Sequence, residues 1–465
     1  MPYVVALALV CGIIFGYYAN HIVPILVIGA GIVLIVQIRA QRKNLYVIVL
    51  CTALCVGCLR VAVFRVFEIE RRLDGVLGKE ISCDGIVVDI PQYSGSRVSL
   101  PVSHDGIRIL LTTSAYRSVL YGDYVSCSGI LKKVERESLW RKGIFYEISP
   151  TEFSVLEHDQ GSRILSFLYE IKYWFVESLY TIFSSPQGEL IAGLTIEGSD
   201  AISKELKEQF RRTSLSHIVA LSGTNVSIII EVVFVLLSRF KRIQRFTAGF
   251  VFIWAFALMT GMTSTILRAS CMALLSLIAE LFHRKSYPLR ALCLVSILMV
   301  TINPLILLFD VSFQLSFTAT LSMIVVMPLL EKSILKKIPF KIVRETLLTT
   351  ISAQILITPL IVYYAGSLST IVLMSNLLVL PMVPIAMLFG TLSVVSQFVW
   401  PILTACALIA HVTVAYIIFV VQYLSSFEFA LYEINISIYS LVIVYGVIIV
   451  VLSYLTKKTD TKPVF

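Results

Sequence analysis

Charge is what this sequence has least of. Only 14% of its 465 residues are Asp, Glu, Lys or Arg, against 57% that are hydrophobic, whereas a soluble domain carries roughly a quarter charged residues. Mean hydropathy is +0.88. These values exclude a soluble globular chain and read as a polytopic α-helical membrane protein. No GxxxxGKS/T loop occurs, which excludes ATP hydrolysis by that route. The nine cysteines and six histidines form no cluster with zinc spacing. No metal or organic cofactor is expected. The first apolar stretch lacks a basic n-region and a small-x-small cleavage site, so it reads as a retained span and not as a signal peptide.

What is present is a series of apolar runs joined by basic links. The net charge of +9 sits mostly in those links, where it sets topology and says little about ligands. Residues 1–64 read as three N-terminal spans, Val4–Tyr17, Ile22–Ile38 and Leu45–Phe64, with Arg39, Arg42 and Lys43 on the cytoplasmic side. Basic links at Lys241–Arg245, His283–Lys285, Lys332–Arg344 and Lys457-Lys458 pair the later runs so that they cross out and back. The total comes to about 12 spans of roughly 20 residues each. Residues 214–456 form the main transmembrane domain and residues 457–465 a cytoplasmic tail. Phe246–Thr260 is short and followed by Gly261, which fits a re-entrant segment as well as a span.

Residues 65–160 differ in character. Short β-type runs at Gly85–Ile90, Ser96–Val102, Gly106–Leu111 and Tyr124–Leu131 alternate with turn residues such as Pro91, Gly95 and Gly122-Asp123. Topology places them outside the cytoplasm. A small OB-like barrel is expected, with a sandwich as the alternative. Residues 65–163 hold 13 basic and 14 acidic residues, so no broad electrostatic funnel exists. Lys132, Lys133, Arg136, Arg141 and Lys142 read as a solvated basic face. Cys83 and Cys127 each lie at or near a strand start. The first and fourth strands of an OB barrel are neighbours, so an oxidising compartment would let the two pair. Two separate buried thiols are the alternative.

Residues 161–213 read as interfacial helices, aromatic-rich at Tyr169, Tyr173, Trp174, Phe175 and Tyr180. Ser199 or Asp200 is expected to cap a helix with Ile202, Leu206 and Phe210 on one side. Arg211 and Arg212 at its end would meet an anionic polymer or lipid phosphates.

Polar groups inside the membrane are few. His217, Ser222, Gly223, Thr224, Asn225 and Glu231 lie in one apolar stretch. On a regular helix His217, Thr224 and Glu231, seven apart, fall within about 40° of one face. Such a face is a pathway or a polar seam between helices. Arg268 lies in an apolar run, at an insertion cost of about 3 kcal/mol, with Asp310 or Glu231 as a natural counter-charge. Asp310 also fits an N-cap. Gln314, Gln354 and Asn376 fit interhelical hydrogen bonds as well as a path. Ser222 and His217 would make a nucleophile and base only if the helix broke at Gly223, since they are five apart.

Several stretches together carry a family resemblance. They are Gly193-Leu-Thr-Ile-Glu-Gly198, Glu205-Leu-Lys through Phe210-Arg-Arg-Thr, and Leu215-Ser-His-Ile-Val-Ala-Leu-Ser-Gly223. Leu267-Arg268-Ala269, Asn303-Pro304, Asp310-Val-Ser-Phe-Gln-Leu-Ser-Phe317 and Asn376-Leu-Leu-Val-Leu-Pro381 follow in the same order. The sequence resembles the ComEC family of competence DNA-uptake channels. The resemblance implies passage of one DNA strand through the cytoplasmic membrane during natural transformation, without enzymatic activity in this chain. It also implies a DNA receptor or pilus outside and a helicase or translocase inside. In that reading Arg211 and Arg212 stand at the DNA entrance. Arg268, Asp310, Gln314 and the polar residues of 217–231 line the path, in contact with single-stranded DNA and bounded by membrane lipids. Two departures stand out. Asn225 occupies the position of a second family His, and Ser227 that of a Gly. The metallo-β-lactamase-like domain of many members has no counterpart here, as no HxHxDH cluster occurs, so a separate nuclease is expected. The rival function is a secondary transporter for a small anionic solute or lipid precursor.

Overall fold

The computed structural model describes residues 2–18, 56–57, 73–94, 97–114, 119–333 and 339–458. It forms two compact units, residues 1–169 with 287–313, and residues 170–286 with 314–465. Helix α1 (Pro2–Tyr18) precedes six strands: β1 (Glu80–Val87), β2 (Gln92–Ser94), β3 (Arg97–His104), β4 (Ile107–Ser114), β5 (Tyr124–Lys133) and β6 (Ile144–Glu157). Next come α2 (Arg163–Ile182), α3 (Lys204–Arg212), α4 (Gly223–Leu236), α5 (Arg242–Met259) and α6 (Ser264–Leu281). Then follow α7 (Pro288–Ile302), α8 (Leu305–Phe309), α9 (Val311–Val325) and α10 (Lys341–Ala365). The last helices are α11 (Val372–Val379), α12 (Val383–Val395), α13 (Trp400–Ser425) and α14 (Ile438–Lys458). Two short strands, β7 (Ser367–Ser369) and β8 (Leu431–Glu433), pair antiparallel.

The chain is a polytopic, mostly helical membrane protein. Among the described residues six stretches are long and apolar enough to cross a membrane: Ser264–Leu281, Val311–Glu331, Lys341–Ala365, Val372–Val395, Trp400–Ser425 and Ile438–Leu455. Gly223–Val235 and Pro288–Ile302 are apolar but shorter. The expected runs Ile22–Ile38 and Leu45–Phe64 lie outside the described residues, apart from Val56 and Gly57. The expected run Leu289–Leu308 is not one helix. Asn303 turns extended, at φ −137° and ψ 100°, because the ring of Pro304 disfavours helical backbone before it and offers no N–H. Pro381 and Pro384 likewise interrupt Val372–Val395 with a single tight turn at Leu380–Met382.

The strands of the first unit make a six-stranded sheet in the order β1-β5-β6-β4-β3-β2, with a second short pairing between β1 and β3 at Ile86↔Ser103 and Val87↔Val102. β4 and β6 run parallel and the other neighbours antiparallel. Strand residues alternate in and out, so Val125, Cys127 and Leu131 of β5 join Leu100, Ile109, Leu111 and Ile148 in one core. β6 is the long strand that sequence reasoning missed, together with the three-residue β2. Pro150 sits in its middle and would demote it, but Pro150 lies opposite Gly129 at a register shift, where a bulge frees the backbone from pairing. A Cβ on Gly129 would come within 2.9 Å of Ser149 O, so glycine is required there. Cys83 and Cys127 are direct register partners of β1 and β5. Both are buried free thiols. Their hydrogen bond and their burial raise the Cys83 thiol above its ordinary value.

The link between α7 and α9 belongs to this same unit and is stapled to the strand domain. Arg141 pairs with Asp310, whose carboxylate is only 1% exposed. Asn303 Nδ2 donates to Arg141 O at 2.7 Å, and the Trp140 and Phe309 rings meet edge to face at 5.4 Å. Leu305 completes the strand core. Removing one partner from a buried ion pair costs about 3–5 kcal/mol, so Arg141 is a structural tie and not part of a solvated face.

At the opposite end of β6, His158 Nδ1 and Asp123 Oδ1 lie 2.7 Å apart, and Asp123 is buried. The hydrogen bond to Asp123, and then its charge, raise the imidazole above its ordinary value. A raised folded-state value stabilises the fold fully below the unfolded value of about 6.5, and the contribution fades as pH rises through the folded value. Hydrogen-exchange protection across β5 and β6, corrected for intrinsic rates, should therefore fall as pH rises above the unfolded value of about 6.5. His158→Gln should flatten that dependence. Parallel losses in the variant and the parent would remove His158 as the cause.

Candidate functional site

The chain is interrupted twice here, once after Arg212, where the first helix is expected to end, and once inside the stretch read as one helix carrying the polar face. α3 begins at Ser203, whose hydroxyl accepts from Leu206 N at 3.3 Å. The expected caps Ser199 and Asp200 lie instead in a tight turn at Gly198–Ala201, because Gly198 at φ +74° turns the chain before α3 can start. α3 stops at Thr213, whose hydroxyl donates back to Gln209 O at 3.0 Å. Ser214 then takes φ +59°. One helical turn at Ser216–Val219 follows, and α4 starts at Gly223 with Ser222 as its cap. His217 and Thr224 therefore belong to different helical segments, and the seven-residue face does not exist between them. Thr224 and Glu231 remain on α4, both exposed.

One side chain closes the second break. Asn225 is 2% exposed. Its Nδ2 donates to Ile218 O at 2.7 Å and to Leu194 O at 3.1 Å. Its Oδ1 accepts from Ser222 Oγ at 3.0 Å, and Ser222 Oγ accepts from Asn225 N at 3.2 Å. Leu194 lies in a widened turn, Gly193–Glu197, that ends the short helix Gln187–Ala192. Asn225 thus satisfies carbonyls from two other interrupted segments. Thr265 Oγ1 takes a third, Leu221 O, at 3.1 Å. In an apolar medium such carbonyls have no water to turn to.

The other expected site residues fall into bound and free groups. Glu208 grips Arg211 through Nε and Nη2, both at 2.7 Å, and holds its guanidinium well ionised. Arg212 Nη2 donates to Phe427 O at 3.1 Å. Ser369 Oγ and Ser375 Oγ donate to the carbonyls of Arg212 and Thr213, so the end of α3 is tied to β7 and α11. His217 is exposed, with Nδ1 3.0 Å from Ser214 O. Ser222 gives its proton to Asn225 and lies in no hydrogen bond with His217, so the nucleophile-and-base arrangement is not assembled. Asp310 caps α9 through Phe313 N at 3.2 Å while holding Arg141. Gln314 accepts from Tyr364 Oη.

Arg268, on α6, is half-buried. Nε donates to Ser316 Oγ of α9 at 2.8 Å, and Nη1 lies 3.8 Å from Met272 Sδ. Among the described residues no carboxylate stands within ion-pair reach of it. Its expected counter-charges are elsewhere, since Asp310 holds Arg141 and Glu231 is exposed. A cavity of about 490 Å³ opens beside Ser214, bounded by Gln354, Thr358 and Pro359 of α10 and by Val372 of α11. Thr358 Oγ1 donates to Gln354 Oε1 at 2.7 Å, which leaves the Gln354 amide as the polar group on that wall. Among the described residues no three His, Cys, Asp or Glu side chains gather as a metal site. Sequence reasoning missed the parts played by Ser316 and Arg141. Ser316 lies 48 residues from its partner, and Arg141 is one of five basic residues between 132 and 142, so no local spacing singles out either.

The arrangement is a set of interrupted helices with backbone satisfied by side chains, beside an arginine lacking a carboxylate. Asn225→Ala should leave Leu194 O and Ile218 O bare, at about 1–3 kcal/mol for each. Thermal unfolding of the purified chain in detergent should show a clear drop for Asn225→Ala and none for Thr224→Ala. Equal stability of the two variants would show that Asn225 is not the pin described here.

Residues 194–458 match the family described as Competence protein. Over 207 residues the chain is 26% identical to the ComE operon protein 3 of Bacillus subtilis (strain 168). That match covers 44% of this chain and 26% of the relative's length. No solved structure matches the chain.

Proposed function

Because the chain belongs to the Competence protein family, we propose that it is a channel carrying single-stranded DNA across the cytoplasmic membrane during natural transformation. The observation that supports this reading is Arg268, a half-buried guanidinium held by a neutral serine, with no carboxylate in ion-pair reach among the described residues. A buried cation balanced by its own protein is a packing element; one left unbalanced suits a polyanion. His217, Thr224 and Glu231, exposed on the segments around it, are the polar groups open to such a strand. Asn225, Ser222 and Gly223 shape the break, and Asp310 and Gln314 border α9. Arg211 and Arg212 set the entrance by holding its loops together.

In this reading the strand domain lies outside the cytoplasm and is of OB type. The parallel β4–β6 pair, with β1 joined to both β5 and β3, supports that assignment. The driving force comes from a cytoplasmic helicase or translocase, and a separate nuclease removes the other strand. The transporter alternative requires a closed site for a small anion. The 490 Å³ cavity beside Ser214 is walled mainly by Ile, Leu and Val side chains and presents no cation.

Export of the strand domain carries its own expectation. Cys83 and Cys127, opposite each other across β1 and β5, should form a disulfide in an oxidising compartment. Non-reducing peptide mapping of membrane-inserted protein should recover the linked peptides, and finding both thiols free would count against an extracytoplasmic domain.

The function itself is tested by uptake of end-labelled DNA into a nuclease-protected compartment. Deletion should abolish uptake, and Arg268→Ala at matched membrane levels should reduce it by on the order of tenfold, the worth of one charge-assisted contact. Loss in the deletion alone would keep the channel and make Arg268 structural. Undiminished uptake in the deletion would favour the transporter.

A further inference from the structure

We propose that Ser316 and Gly223 are positioning residues that aim the Arg268 guanidinium at the phosphodiester backbone of the strand. This rests on the channel reading above. An arginine presents five N–H donors in a rigid plane. Ser316 Oγ takes Nε at 2.8 Å and fixes that edge of the plane. Ser316 does so without charge, so the cation keeps its full attraction for an anion; a carboxylate there would cancel it.

Gly223 governs the Nη2 end of that same edge. A Cβ at this position would lie 2.0 Å from Arg268 Nη2 and 3.2 Å from Cζ. Any side chain larger than hydrogen therefore displaces the guanidinium from the start of α4. The need for glycine here comes from this close approach and not from the backbone, since Gly223 opens a regular helix. The first N–H groups of that helix point the same way as other donors do at helix starts, with no acceptor inside the helix. Guanidinium and helix start are both positive; the acceptors Ser316 Oγ for Arg268 Nε and Ser222 Oγ for Asn225 N are neutral, so neither positive end is met by a negative charge among the described residues. Phosphate oxygens accept from both. Ser316 itself is half-buried, and its hydroxyl proton is available to the same phosphate.

The test uses the purified full-length chain in lipid nanodiscs. The probes are a single-stranded phosphodiester oligonucleotide and a methylphosphonate oligonucleotide of the same sequence, whose backbone is uncharged. The parent chain should bind the phosphodiester strand more tightly, with affinity falling as salt rises. Ser316→Ala and Gly223→Ala should each weaken phosphodiester binding on the order of tenfold. Each should also reduce the log–log salt slope by about 0.7, the value of one phosphate contact on a single strand. Methylphosphonate binding should not change. Ser316→Thr, which keeps the hydroxyl, should behave as the parent and shows that a loss in Ser316→Ala is not misfolding. A parent-like salt slope in Ser316→Ala, with Arg268→Gln losing one contact, would overturn the positioning role while leaving the channel in place. A parent-like slope in Arg268→Gln would overturn the phosphate contact. No binding of either strand by the parent would overturn the channel reading and this inference with it.

Discussion

The amide of Asn225 is the interaction on which the helical core around residues 193–231 depends. A helix broken inside an apolar region exposes carbonyls that water cannot reach. Two such breaks, in the widened turn holding Leu194 and after the single turn holding Ile218, converge on this one side chain. Asn supplies two donors and an acceptor in a fixed plane, and all three are used. Without it the carbonyls of Leu194 and Ile218 would lose this donor.

The same logic recurs wherever the apolar runs are interrupted. Asn303 accepts from Leu305 N at 3.0 Å at the Pro304 break, and Asp310 caps α9 three residues before Phe313. Thr265 covers Leu221 O. The polar residues of the family-like stretches are thus largely engaged in finishing helix ends. Of the expected path residues His217, Thr224 and Glu231 are exposed, and the half-buried Arg268 is met by neutral groups.

Much of this was legible in the sequence because it rests on composition and covalent chemistry. Prolines at 304, 359, 381 and 384 announce interruptions or kinks whatever surrounds them. Alternation marked β1, β3, β4 and β5, and hydropathy marked the long apolar helices. Cys83 and Cys127 were placed opposite each other by the order of the strands. β6 was lost because a proline in a strand reads as an end unless its partner bulges, and the partner Gly129 is 21 residues away. The single helical face from His217 to Glu231 failed because nothing local forbids it: Ala220-Leu221-Ser222 is helix-compatible, and only the long-range acceptors and donors make the break favourable.

By itself the sequence determined the solvent each segment prefers, the breaks that proline imposes, and the residue types available for contact with an anion. Tertiary structure alone decided which of those polar groups are consumed. Asp310 turned to Arg141, Asn225 to Leu194 O, and Arg268 to Ser316, since a hydrogen bond or ion pair forms with whatever group packing brings within about 3 Å. Distance along the chain carries no information about that, which is why the free cation and its neutral partner, 48 residues apart, could be paired only in three dimensions.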